Sequence, residues 1–152
     1  MMRSVLLVVA AVVFTGPARA NDELTADEKR LIELVNVERQ KADLPALKAN
    51  AKLMKAARDH SANMARNKQL AHDLDGKGPG ERLKDVGYAS GGWGENCAAG
   101  QRTPAEAITC WMNSEGHKAN ILGGNFREIG VALAKAADGT VYWTQVFATP
   151  AR

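Results

Sequence analysis

The stretch CWMNSEGHKANIL (residues 110–122) is the part of the sequence from which the fold is inferred. A helix is predicted to lead into it, because Thr103 can cap a helix N-terminus and Pro104 suits the first helical position. Apolar residues then recur at helical spacing and predict a buried face: Ala107, Ile108, Trp111 and Met112. Gly116 is expected to end this helix, since glycine readily adopts the left-handed conformation found at helix ends. His117 would then lie just past the helix end and is the leading candidate for a functional residue.

The first twenty residues are typical of an export signal. Arg3 supplies a positive start, residues 4–14 are uncharged and mostly apolar, and a small-residue ARA motif ends at Ala20. The apolar run is too short to span a bilayer. We therefore predict a signal peptide at residues 1–20, cleaved after Ala20, and a single domain at residues 21–152. A secreted or periplasmic location follows, and no other apolar run is long enough to cross a membrane.

The charge balance gives no support for nucleic-acid binding. The chain has 20 basic and 17 acidic residues, but loss of Arg3 and Arg19 with the signal would leave 18 basic residues. No block of lysine and arginine with interleaved aromatic residues is present.

Two cysteines, Cys97 and Cys110, lie in the part predicted to be exported, where disulfides form and persist. Their spacing lacks the C-x-x-C pattern that favours a redox centre or a zinc knuckle. A Cys97–Cys110 disulfide is therefore expected, and it would stabilise the domain by roughly 3 kcal/mol in the chain-entropy model.

Further elements are predicted from caps, periodicity and turn residues. They are a helix from Thr25 to about Ala42, a helix from Asn50 to residues 67–70, a helical turn at 81–86, a strand at 93–99, and two strands at 129–133 and 141–147. Asp138-Gly139 between the last two strands is typical of a hairpin turn. Leu31 and Val35 mark the buried face of the first helix, with Arg39 mostly elsewhere. Helices followed by a largely antiparallel sheet, with one helix inserted late, predict a layered α+β domain.

Five segments together resemble the CAP superfamily, which comprises cysteine-rich secretory proteins, antigen 5 allergens and plant pathogenesis-related proteins. The segments are NVER (36–39), GEN (94–96), WMNSEGHKANIL (111–122), FREIGV (126–131) and YWTQVF (142–147). The likeness is to the bacterial branch of SCP-like extracellular domains. It implies a three-layer α-β-α sandwich with a small, mostly antiparallel sheet, and a cleft that holds two histidines and two acids.

The same resemblance assigns the cleft residues. His72 corresponds to the first histidine, Glu95 to the acid of the GEN motif and His117 to the second histidine. Glu115 is the candidate for the second acid, although Ser114 occupies the nearest equivalent place and a triad remains open. Imidazole and carboxylate groups are ligands of Zn²⁺ and other divalent metals, so His72 and His117 are the candidate metal ligands. The same groups could perform acid–base chemistry.

Structural roles compete with these assignments. His60 falls on the apolar stripe of the second helix and is expected to be a packing residue. Glu95 could bind only the backbone amides of its own turn. Ser114 with His117 could suggest a serine nucleophile, but no G-x-S-x-G motif supports that interpretation.

Two classes of function follow from the resemblance and the candidate site. The first is a non-enzymatic extracellular binding module whose cleft takes a divalent metal, a small molecule or a lipid. A sterol or fatty acid is included because eukaryotic relatives bind such ligands, and an extracellular protein partner is equally open. The second is a metal-assisted peptidase. No recognised catalytic motif is present, which favours the binding module.

Overall fold

The computed structural model of the protein describes residues 23–152, so the predicted signal at residues 1–20 lies outside the described residues. The helices in this part of the chain are α1 (Ala26–Lys41), α2 (Ala51–Asn67), α3 (Pro79–Asp85), α4 (Pro104–Met112) and α5 (Glu115–Ile121). The strands are β1 (Lys48–Ala49), β2 (Ser90–Ala99), β3 (Glu128–Lys135) and β4 (Val141–Pro150).

The helix starts lie where the caps predicted them. The Thr25 hydroxyl accepts a hydrogen bond from the Glu28 N–H at 3.2 Å, and the Glu28 carboxylate accepts one from the Thr25 N–H at 2.8 Å. Asn50 caps α2 through its side-chain oxygen, and Thr103 caps α4 in the same way. These side chains satisfy amides that have no partner inside the helix, which places each boundary.

The four strands form one sheet in the order β1-β3-β4-β2. Strands β3 and β4 pair antiparallel as the predicted hairpin, with Gly139 in the turn at φ +89°. Strand β2 pairs antiparallel with β4 and forms one edge of the sheet. The opposite edge is β1, whose two residues pair parallel with β3 and were not predicted.

Helices cover both faces of this sheet, which confirms the predicted α-β-α layers. Trp143 and Phe147 of β4 pack in one apolar cluster with residues of α1 and α4. Val146 of β4 points the other way and packs against α2. Helix α2 lies very close to β3, because a Cβ atom on Gly130 would be 2.1 Å from the backbone carbon of Leu53.

The stretch at residues 110–122 folds differently from its prediction. Helix α4 ends at Met112, and Ser114 takes an extended conformation (φ −110°, ψ 123°) before α5 begins at Glu115. Gly116 and His117 therefore lie inside α5 and not past a helix end. The break falls at residues 113–114. Asn113 ends α4, and its N–H bonds back to the carbonyls of Thr109 and Trp111. Gly116 keeps a negative φ, so its backbone continues the helix that begins at Glu115.

The predicted Cys97–Cys110 disulfide is wrong, since both cysteines are free. Cys97 is buried beneath α2, in an apolar cluster with Met64 and Tyr142. Cys110 is exposed on α4, which covers the opposite face of the sheet. A disulfide needs Cα atoms within about 7 Å and converging side chains, and the intervening sheet prevents this.

Arg39 of α1 is fully buried, contrary to its prediction. Its guanidinium donates to four backbone carbonyls, those of Pro45 (2.9 Å), Ile121 (2.8 Å), Gly123 (2.9 Å) and Phe126 (3.4 Å). Arg39 therefore ties α1 to the connection between α5 and β3. The signal was its spacing, because Arg39 follows the buried Val35 by four residues and shares its helix face.

Candidate functional site

The candidate site is built on two adjacent residues of the edge strand β2, Glu95 and Asn96. Successive side chains of a strand point to opposite faces of the sheet. Glu95 accordingly points toward the α2 layer and contacts His72, whereas Asn96 points toward the α5 layer and contacts His117. Both residues are buried, with exposures of 5% and 0%. One dipeptide therefore anchors the two segments that carry the predicted histidines.

On the α2 side, His72 lies in the loop after α2 and its side chain is 51% exposed. Its Nδ1–H donates to Glu95 Oε1 at 2.9 Å. The other carboxylate oxygen accepts a hydrogen bond from Arg82 Nη2 at 2.7 Å. Arg82 also donates from Nη1 to the carbonyls of His72 (2.9 Å) and Lys77 (3.0 Å). Arg82 of α3 thus fixes both the carboxylate and the loop that presents His72.

The electrostatics of this cluster keep Glu95 ionised. Burial alone would raise the pKa of Glu95, but the hydrogen bond from His72 and the charge of Arg82 outweigh it and lower the pKa. The hydrogen bond to Glu95 in turn raises the pKa of His72. Since an ionised carboxylate only accepts hydrogen bonds, His72 carries a proton on Nδ1, and deprotonation would free Nε2.

On the α5 side, the backbone of His117 is held by Asn96. Asn96 Nδ2 donates to the His117 carbonyl at 3.0 Å and lies 3.2 Å from Gln145 Oε1. Asn120, one turn along α5, donates to Asn96 Oδ1 at 2.9 Å and to the Glu95 carbonyl at 3.2 Å. The contacts of His117 and Asn120, made across 21 to 25 residues of chain, dock α5 on β2.

The His117 ring differs from that of His72 in its environment. Its Nδ1 is buried and has no hydrogen-bond partner among residues 23–152. Burial lowers the pKa of His117, and the charge of His72 lowers it further. The two imidazoles therefore lie within electrostatic range of each other, and His117 is the one that stays neutral more readily.

His60 and Cys97 complete the cluster beneath Glu95. Ligand atoms of His60, Glu95 and Cys97 lie within 4.8 Å of one another, a grouping that could hold a metal ion. However, His60 Nε2–H donates to the Ala71 carbonyl at 2.8 Å, and the Cys97 thiol donates to Glu95 Oε1 at 3.5 Å. Burial raises the pKa of the Cys97 thiol and lowers that of His60. In the metal-free protein the Cys97 thiol therefore stays protonated.

Glu115 is not brought to the cluster. It is the first residue of α5, it is exposed, and its carboxylate makes no hydrogen bond or ion pair within the described part of the chain. Residues two apart on a helix point in different directions, so Glu115 and His117 do not face the same site. The roles of Arg82 and Asn96 were not predicted, because they depend on contacts between separate elements of the fold.

The sequence of this chain matches a known protein family. Residues 32–147 match the family described as CAP, the cysteine-rich secretory protein family. The uncharacterized protein YkwD of Bacillus subtilis is 41% identical over 129 residues, which are 84% of this chain and 49% of YkwD. The uncharacterized membrane protein YlbC of the same organism is 30% identical over 81% of this chain and 34% of its own length. The chain thus spans half or less of the length of each of these two relatives.

Solved structures of similar proteins match the fold of this chain. An extracellular protein containing an SCP domain from Bacillus anthracis is 30% identical, with a TM-score of 0.74 over 81% of this chain and 40% of that one. An outer surface protein of Borrelia burgdorferi shares the fold at 23% identity, with a TM-score of 0.78 over 82% of this chain and 93% of that one. These neighbours are extracellular or surface proteins, and no helix within residues 23–152 has the length and apolar content to span a membrane. The chain belongs to the CAP family.

Proposed function

We propose that the chain is an extracellular CAP-family binding module in which His72 and His117 hold a divalent metal ion such as Zn²⁺. The observation that carries this proposal is the 2.9 Å hydrogen bond from His72 Nδ1 to Glu95. Histidines that bind metals generally donate their second ring N–H to a carboxylate or carbonyl in this way, which fixes the tautomer and the ring orientation. His72 would therefore offer Nε2 from a half-exposed ring.

The donor set fits zinc chemically. Zn²⁺ takes imidazole nitrogens readily, and water or a small ligand can fill positions that the protein leaves open. His117 stays neutral because burial lowers its pKa, and a metal ligand must be the neutral imidazole. Because the hydrogen bond to Glu95 raises the pKa of His72, the metal would displace a proton from His72, and zinc affinity should fall as the pH falls.

The same contacts favour binding over hydrolysis. A metal-assisted peptidase needs a base that can accept a proton from metal-bound water. Both oxygens of Glu95 are engaged, one by His72 and one by Arg82, and its pKa is lowered. Glu95 is therefore a weak base with no free oxygen. Glu115 is exposed and makes no contact with this network among the described residues, so it does not supply the missing base.

Zinc titration by calorimetry tests the proposal. We expect the wild type to bind one Zn²⁺ ion, and His72→Ala and His117→Ala to abolish that binding. Glu95→Gln should weaken it about 10- to 100-fold, since the carboxylate acts through His72. Glu115→Gln is the matched control and should bind as the wild type does.

Thermal unfolding of each variant without metal separates loss of the site from loss of the fold. Unchanged zinc affinity in a folded His72→Ala protein would exclude His72 as a ligand. Zinc-dependent cleavage of denatured casein by the wild type, abolished in Glu95→Gln, would favour the peptidase instead.

A further inference from the structure

A large cavity within the described residues lies apart from the histidines. It is a groove of about 830 Å³ between the connection from α5 to β3 and the ends of β2 and β4. Gly91 and Gly92 of β2 line it together with Gly123 and Gly124 of the connection and Asn120 of α5. Its volume lies within the range of small-molecule binding sites, roughly 300–1,000 Å³.

The side chains that line the groove carry positive charge and no negative charge. Arg127 and Arg152 line it, and its lining contains no acidic residue. Arg127 Nη1 donates to the carbonyls of Gly124 (2.7 Å) and Phe126 (2.8 Å), which pins the guanidinium to the groove wall. Within residues 23–152, its Nε and Nη2 groups make no hydrogen bond and remain available to a ligand.

A third guanidinium lies beneath the same wall. Arg39 is fully buried and donates to the carbonyls of Gly123 and Phe126, both residues of the groove lining. No carboxylate of the described residues pairs with Arg39, whose hydrogen bonds all go to backbone carbonyls. Burial lowers the pKa of Arg39, and the charge of Arg127 lowers it further, so the two cations repel each other. An anion in the groove would relieve this repulsion, because buried charges are costly when unpaired.

The rest of the lining suits a hydroxylated ligand better than a lipid chain. Only four of the thirteen lining residues have apolar side chains, namely Trp93, Ala119, Phe126 and Pro150. Asn120, Asn125 and Thr149 contribute polar side chains, and the glycines expose backbone amides and carbonyls.

From these observations we infer that the groove is a binding site for a carboxylated saccharide, with Arg127 as the main contact to the carboxylate. The carboxylate would take the free Nε and Nη2 donors of Arg127, which form a fork that matches its two oxygens. Asn120 and the glycine backbone would bind hydroxyl or acetamido groups. Such carboxylates occur on muramic acid in bacterial cell walls and on uronic acids in other glycans. The site requires no metal, so it is independent of the proposed zinc site.

Calorimetry in the presence of a chelator tests this inference with three disaccharides. N-acetylglucosaminyl-N-acetylmuramic acid carries a lactyl carboxylate, N,N′-diacetylchitobiose is its uncharged counterpart, and digalacturonic acid represents the uronates. We expect at least one acidic disaccharide to bind, and chitobiose to bind at least about tenfold more weakly, as loss of a charge-assisted hydrogen bond implies. Which acidic disaccharide binds more tightly identifies the source of the ligand.

Two variants and a control complete the test. Arg127→Gln should weaken acidic-disaccharide binding about tenfold or more, whereas Arg102→Gln, which removes an equal charge from another surface, should not. Gly92→Val should abolish binding without altering thermal unfolding, because a Cβ there meets no atom within 4 Å and would project into the groove. Equal binding of chitobiose, no binding of any disaccharide at millimolar concentration, or equal losses in both arginine variants would overturn the inference.

Discussion

Glu28 shows how a single carboxylate can join two helices. It caps the first turn of α1 through Thr25 and receives two hydrogen bonds from Arg58 of α2, from Nε and Nη2, each at 2.7 Å. Burial alone would raise the pKa of Glu28, but the hydrogen bonds and charge of Arg58 and the Thr25 contact lower it. A carboxylate whose pKa is lower in the folded state contributes stability above its unfolded pKa, about 4.5. This contribution is lost as the pH falls through the folded value.

Glu28→Gln should therefore destabilise the protein by roughly 3 kcal/mol at pH 7, since it removes one partner of a buried ion pair. Its deficit relative to the wild type should shrink as the pH falls below about 4.5, the unfolded pKa, because the unfolded state then binds a proton that the native carboxylate resists. Urea unfolding at pH 7, 5 and 3.5 measures both effects. Glu33→Gln, which affects an exposed pair with Arg30 in the same helix, is the control and should cost less than about 1 kcal/mol. A pH-independent deficit for Glu28→Gln would contradict the electrostatic account.

Residue types at the site were predictable, but their partners were not. The resemblance singled out His72, Glu95 and His117, and the structure does bring His72 and Glu95 into hydrogen-bond contact. Arg82 gave no signal, because an arginine in a short exposed-looking helix is ordinarily solvated. Its role depends on β2 passing beside α3, a contact that no local pattern encodes.

Local chemistry explains why the predicted helix starts are confirmed. Thr25, Asn50 and Thr103 place the starts of their helices because a cap acts within three residues of itself. Strand β1 was missed because its two residues are a strand only through pairing with β3, some 80 residues away. The start of α5 was missed for a related reason, since a glycine signals a helix end only when its backbone turns left-handed, and Gly116 does not.

Two glycine substitutions test the packing of these elements. Gly130→Ala should destabilise the protein severely, by several kcal/mol, because its Cβ would overlap the backbone of Leu53 and push α2 off the sheet. Gly116→Ala should instead stabilise it by about 0.5–1 kcal/mol, because the new Cβ meets nothing within 4 Å and alanine favours the helix. Thermal unfolding of both proteins checks this pair of opposite signs. A destabilised Gly116→Ala variant would show that residue 116 needs a conformation alanine cannot take.

The central sheet separates the two cysteines. Cys97 is 7% exposed beneath α2, and burial raises its pKa, whereas Cys110 is exposed on α4. In the native protein we expect one thiol to react rapidly with Ellman's reagent and a second to react only on denaturation. Cys110→Ser should remove the rapid reaction alone. Failure of either thiol to react in denaturant without reductant would indicate a disulfide after all.

The alternation of Glu95 and Asn96 along β2 has a consequence for how such a chain can change over time. Inserting or deleting one residue within β2 would turn the carboxylate toward α5 and the amide toward α2. The segments that carry His72 and His117 would then lose their contacts with β2 in the same mutation. A change in the length of β2 beside this dipeptide is therefore harmful unless a bulge absorbs it, as the irregularity between Ser90 and Gly92 does at the start of the strand.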